Sequence, residues 1–273
     1  MERIRRGFRL LGASWEVLRS DKELLVLPLL SFLAIAVATA AIFGLAWLGG
    51  GGSARDSFPE GPLDYVYLGV FYFVAYFIGI FFNAAVVGAA TVRLQGGDPT
   101  IGDGLRLAAS KAGKIAGWAA ISATVGLILR SLEERFGFLG DLIIGLIGVV
   151  WGAITFFVVP VLLYEPVGAV EGVKRSASIF KQRWGEQMTG NVAIGVAMFL
   201  LGLPIIAVAV LVGTISVPLG VVIGVLAVGA LIAVGTAVSG VFQAALYRYA
   251  TTGESGGGFA ATDLQQSFRS RKR

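Results

Sequence analysis

Residues 165–187, EPVGAVEGVKRSASIFKQRWGEQ, decide how this chain is read. They form a charged island between two long apolar runs. At 3.6 residues per turn, Val167, Val170, Val173, Ala177 and Phe180 or Trp184 fall near one side, and Lys174, Arg175, Lys181 and Arg183 occupy much of the rest. Such a segment suits a helix lying in a membrane interface, its apolar side down and its cations near lipid phosphates. Two other stretches repeat the form, and what remains is long and apolar enough to cross hydrocarbon.

The composition agrees with this reading. Hydrophobic types make up 56% of the 273 residues and charged types 14%, with a mean hydropathy of +0.81. A soluble domain carries roughly 25% charge to cover its surface, so the balance is that of a membrane protein. The chain has no Cys, which removes disulfides, thiol catalysis and thiolate metal sites. It has no His, which removes the commonest general base and most transition-metal chemistry. The net charge of +5 follows the borders of the apolar segments instead of forming a groove, and nucleic acid is not an expected partner.

Six spans are expected, at 24–48, 63–92, 115–129, 139–163, 190–211 and 219–247. The opening MERIRRGFRLLGASWEVLRSDKELL is too long and too charged for a cleaved leader, so the first span is read as retained. Ahead of it, Phe8, Leu11, Trp15 and Leu18 share one face of a short helix. The third span is short; it recruits Ala112 and Gly113, with the Lys114 ammonium snorkelling to the headgroups. Residues 130–136, RSLEERF, join it to the fourth, in which Gly145, Gly148 and Gly152 are spaced for close helix approach. Gly220, Gly224 and Gly235 offer the same in the sixth. Pro160 and Pro204 are expected to kink their helices.

This count puts both termini and the 91–114 and 164–188 connections on one side. That side carries all of the 22 Lys and Arg residues except Arg55, Arg130 and Arg135. The bias places it in the cytoplasm. The expected fold is therefore all-α, a polytopic membrane helical bundle of six transmembrane helices with cytoplasmic interfacial amphipathic helices. Each polar segment precedes a hairpin and reads Gly, apolar, basic, then small residues: Gly7–Ser14, Gly104–Ser110 and Gly172–Ser178. Residues 1–250 thus form a single membrane domain of three parallel helix-plus-hairpin repeats, 1–92, 99–163 and 166–250, followed by a basic cytoplasmic tail, 251–273.

No catalytic, cofactor or metal motif is present in the sequence. GDGLRLAASKAGK lacks both the ending and the preceding strand of a phosphate loop. Function falls to polar or lipid-facing positions near the membrane: Asn83, Tyr164, Glu165, Lys174, Arg175, Asn191 and Gln243. Asn83 should find a partner across a helix interface. Lipid enzymology would need a carboxylate cluster, for which Glu165, Glu171 and Glu186 are the available contributors.

The stretch LYEPVGAVEGVKRSASIFKQRWGEQMTGN resembles a family of uncharacterised prokaryotic integral membrane proteins, domain of unknown function 6159. So do the ending ALYRYATTGES and the opening RRGFRLLGASWEVLRSDKELLVLPLLS. The arrangement is more distantly similar to membrane domains attached to some glycerophosphodiester phosphodiesterases, whose catalytic domain is absent here. The resemblance implies six helices with interfacial segments in a prokaryotic cytoplasmic membrane and assigns no residue a role. The leading expectation is a non-enzymatic assembly or scaffold protein that organises lipid or a partner complex, itself a homo-oligomer or part of a membrane complex. The alternative is a transporter or channel for a small or lipidic solute.

Overall fold

The computed structural model describes residues 2–48, 62–182 and 187–254, together with Gly256 and Phe259; side chains within 2–9, 133–143 and 187–193 and at a few helix ends lie outside the description. Among the described residues the chain is all-α. Its helices are α1 (Glu2–Ser20), α2 (Glu23–Leu48), α3 (Pro62–Leu94), α4 (Ile101–Ser110), α5 (Ala112–Thr155), α6 (Val158–Tyr164), α7 (Ala169–Gln182), α8 (Gln187–Ile215) and α9 (Val217–Thr252). Six stretches are long and apolar enough to cross a membrane: Glu23–Leu45, Tyr65–Leu94, Ala112–Leu132, Ile144–Tyr164, Ile194–Ile215 and Val217–Thr252. They correspond to the six expected spans, and the chain is a polytopic helical bundle.

The third of these and the first half of the fourth lie within one helical element, α5, which nevertheless doubles back, and the fourth continues through α6. The rings of Trp118 and Trp151 stack with centroids 5.9 Å apart. A straight helix would hold them about 50 Å apart at 1.5 Å per residue. The Lys114 ammonium likewise reaches the Glu165 carbonyl, 3.0 Å away. The two limbs of α5 therefore form a hairpin, and the Lys114 cation serves the end of α6 where snorkelling was expected.

Every polar helix packs on the hairpin that precedes it in a circular order. α4 lies on α3 and α2, α7 lies on α5 and α6, and α1 lies on α8 and α9, the last hairpin of the chain. Inside this ring α3 touches both α9 and α6. Small residues let the helices approach. A Cβ on Gly240 would stand 2.6 Å from Val86 Cγ1, and one on Gly104 would stand 2.7 Å from the Ala85 carbonyl oxygen. The buried core centres there, on Ala84–Val87 of α3, Phe157 and Val158 beside the α5–α6 join, and Val241 and Phe242 of α9.

The buried faces differ from the expected ones. On α1 the covered residues are Leu10, Ser14, Val17 and Leu18, and Trp15 is 47% exposed. On α7 the covered side runs through Gly172, Ser176, Ile179 and Phe180, leaving Val170 exposed. Small residues thus turn inward on both helices: Ser14 bonds the Leu10 carbonyl of its own helix, Gly172 lies against the Leu162 side chain, and Ser176 reaches the backbone of Ile154 and Phe157. The glycines of the fourth span also face elsewhere. A Cβ on Gly145, Gly148 or Gly152 would meet nothing within 4 Å, whereas Gly220, Gly224 and Gly235 do lie against Gly213, Ala209 and Met198 of α8.

One end of the bundle gathers the polar groups. α4 begins there with a capping box: Thr100 Oγ1 accepts from the Asp103 amide (3.2 Å), and the Asp103 carboxylate accepts from the Thr100 amide (3.1 Å). The next free amide, that of Ile101, donates to Glu23 Oε2 of α2 at 2.8 Å. The tail docks at this end too. Gly253 closes α9 in the left-handed region (φ 75°), Glu254 pairs with Arg248 (2.8 Å), and Phe259 is buried.

Candidate functional site

Two adjoining features organise the polar end: a break in the fourth span and a carboxylate just beyond it. The break follows from Pro160. Proline has no amide hydrogen, so the Phe156 carbonyl four residues earlier has no partner within the helix. α5 ends at Thr155 and α6 begins at Val158. Side chains from other helices repair the gap. Gln243 Nε2 of α9 donates to the Phe156 carbonyl. The fully buried Ser176 of α7 donates through Oγ to the Ile154 carbonyl (2.6 Å) and accepts from the Phe157 amide (3.0 Å). Phe156, Phe157 and Phe242 pack around the junction.

Glu165 caps the far end of α6 in extended conformation. Its carboxylate accepts from Arg175 Nε at 3.0 and 3.1 Å and from the Tyr247 hydroxyl at 3.1 Å. Lys114 bonds its carbonyl, where a cation complements the helix terminus. The ring of Tyr164 stacks on that of Tyr247 with centroids 6.0 Å apart. Four helices, α5, α6, α7 and α9, thus converge on one residue.

Of the positions read from sequence, the structure joins Tyr164, Glu165 and Arg175 in this cluster and places Gln243 at the adjacent break. Lys174, next to Arg175, turns away and is exposed. The side chain of Asn191 lies outside the described residues, as do Arg183, Trp184 and Glu186. Asn83 does not find the expected partner: its Oδ1 is buried with no hydrogen bond, and Gln243 Oε1 shares that condition. Glu171 does not join Glu165 as a carboxylate pair, because its Oε2 accepts from the Gly168 amide at the start of α7 (3.2 Å). Sequence reasoning missed Ser176 and Tyr247, and gave Lys114 to the headgroups instead of the Glu165 carbonyl. The signal for the first was Pro160 itself, which demands donors and acceptors from outside its own helix.

A second polar corner lies where α1 turns into α2. Asp21 is 6% exposed; its Oδ1 accepts from the Glu23 amide (3.2 Å), and its Oδ2 has no partner. Burial raises the Asp21 carboxyl above the usual carboxylate range, opposed by the Glu23 amide and the Arg93 cation. Asp103 moves the other way, lowered by its hydrogen bonds from Thr100.

Away from both corners, the second limb of α5 carries an apolar groove of about 360 Å³, lined by Leu146, Ile147, Val150, Trp151 and Ile154. None of the polar positions named above lines it. Among the described residues no group of three or more acidic side chains is placed to hold a metal ion. The arrangement at Glu165 can lock helices together; its carboxylate has its charge met by Arg175 and a hydrogen bond from Tyr247.

No curated protein and no solved structure matches the chain. A family model does match, over residues 63–258, a region that contains α3–α9 and the whole of the Glu165 cluster but not the opening stretch whose likeness was noted above. The chain belongs to the family of unknown function DUF6159.

Proposed function

We propose that this protein is a non-enzymatic membrane scaffold that organises lipid or a companion complex, alone or as a homo-oligomer. The observation that carries the reading is the commitment of its polar groups to structure. Glu165 is tied to Arg175 and Tyr247, Glu171 caps α7, and the Gln243 amide nitrogen repairs the Pro160 break. Groups so engaged serve the static bundle better than turnover. The proposal extends to setting: a prokaryotic cell membrane with both termini cytoplasmic, three parallel helix-plus-hairpin units, and α1, α4 and α7 lying in the lipid interface. The circular packing of those three helices on successive hairpins supports the units, and the exposed Trp15, Lys174 and Lys181 support the interface. The distant similarity to the membrane domains of glycerophosphodiester phosphodiesterases enters as part of this proposal and brings no activity with it.

The test is purification from native membranes in mild detergent, with co-purifying proteins and lipids identified by mass spectrometry. A stoichiometric companion protein or a reproducible lipid complement is the expected result. A second reading, transport of a small or lipidic solute, is favoured by one observation. Asn83 Oδ1 and Gln243 Oε1 are buried acceptors without donors, and such atoms bind water or a polar solute readily. Flux in reconstituted vesicles that disappears in Asn83→Leu, with no companion recovered, would sink the scaffold reading.

A further inference from the structure

The spanning helices are sheathed unevenly. α9 packs on α2, and α3 packs on α5, but α8 packs to a similar extent only on α9 and α1. Between α8 and the second limb of α5 there is no such seam among the described residues. Each of the two carries bare hydrocarbon on its surface. Leu146, Ile147 and Val150 on α5 and Phe199, Leu203 and Val210 on α8 are 46–65% exposed. On α5 this surface is concave, forming the groove that ends at Ile154. The lining offers a polar solute no partner beyond one indole N–H, so an aliphatic chain suits it.

The polar end of the groove is equally specific. The Ile154 carbonyl accepts from Ser176 of α7, so α7 meets the groove at that residue. At 3.6 residues per turn from Ser176, Arg175 lies on the flank that turns to Glu165, and Val170, Lys174, Ala177 and Lys181 share the opposite flank. Val170, Lys174 and Lys181 are exposed. Lysines edging an apolar flank lay their stems on lipid and hold their ammoniums at phosphate level.

We propose that the groove holds an acyl chain of one anionic phospholipid, whose phosphate is bound by Lys174 and Lys181. Lipid fits better than a second copy of the chain, because a two-fold pairing across this flank would bring both lysine sets onto one face. The proposal rests on the reading that the protein organises lipid.

The test incubates full-length protein with mixed phosphatidylglycerol and phosphatidylcholine vesicles, strips it in detergent and counts retained lipid by native mass spectrometry. One phosphatidylglycerol per chain is expected, favoured over phosphatidylcholine by about tenfold or more. Lys174→Glu with Lys181→Glu should bring that preference to about even while a lipid is still retained. Val150→Trp, which fills the groove, should lower retention of both lipids about tenfold at unchanged helicity. Where that variant does not fold, the lysine pair decides. Equal retention of the two lipids by the parent protein overturns the proposal, as does undiminished retention in a folded Val150→Trp variant. So does a disulfide between two Val150→Cys chains, a clean readout because the protein has no cysteine. Those outcomes leave a stoichiometric companion from native membranes untouched, so the two readings fail separately.

Discussion

Pro160 and Pro204 each interrupt an apolar span, and the protein treats them oppositely. Pro160 lies in the core, where α5 gives way to α6 and side chains from α7 and α9 bond the freed backbone. Pro204 lies inside α8, which is helical from Gln187 to Ile215 without a break. Leu200, whose carbonyl has lost its donor, is 58% exposed, and no side chain of another helix bonds that turn among the described residues. A kink in the core has become a joint that three helices share. The one at the surface is a local defect of a single helix. Proline in a membrane span is thus no sign of motion by itself; what matters is whether neighbours have taken over its hydrogen bonds.

The contrast can be broken most severely at Ser176. Ser176→Ala leaves the Ile154 carbonyl and the Phe157 amide both unpaired, at a cost of about 2–3 kcal/mol, readable by denaturant titration in bicelles. Pro160→Ala comes next and should show a reversed sign of coupling. The restored amide competes with Gln243 for the Phe156 carbonyl, so Pro160→Ala alone should be neutral or destabilising. Combined with Gln243→Leu it should recover about 1–2 kcal/mol relative to Gln243→Leu alone, and additive effects would show that Gln243 does not replace the missing amide. Pro204→Ala should instead stabilise, by about 1 kcal/mol or less, since nothing has adapted to the proline.

The smallest expected effect concerns the capping box, which fixes the first turn of α4 from within, whereas Gln243 bonds the Phe156 carbonyl from another helix. Asp103 has a lowered carboxyl, so its contribution is fully present above the usual carboxylate value near 3.8 and is lost as pH falls through its own lower value. Amide exchange at Ile101–Gly104 should quicken in that acid window and not above it. Asp103→Asn should remove the dependence.

Much of this was legible before the structure. The spans are long apolar runs bounded by charge, and hydrocarbon length fixes how many there are. Glu165 stood out because a carboxylate directly after a span and before a proline marks an end. Which face of α1 or α7 turns inward was not legible. The covered residues include Ser14, Gly172 and Ser176, whose value comes from what they admit and bond, not from hydrophobicity. Glycine spacing misled for the same reason: Gly148 and Gly220 look alike in sequence, but only Gly220 has a neighbouring backbone against it. The missing partner of Asn83 was also invisible, since a rule that buried amides are bonded says nothing about a particular neighbour.

The seat of α1 has a consequence for biosynthesis. α1 rests on α8 and α9, which are made long after it. At about 5–20 residues per second, roughly 200 residues of translation keep it waiting some 10–40 s without its binding surface. Until the final hairpin inserts, the Leu10, Val17 and Leu18 face must be held by something else, the bilayer surface or a chaperone. A nascent chain halted before α9 would therefore leave the apolar face of α1 uncovered.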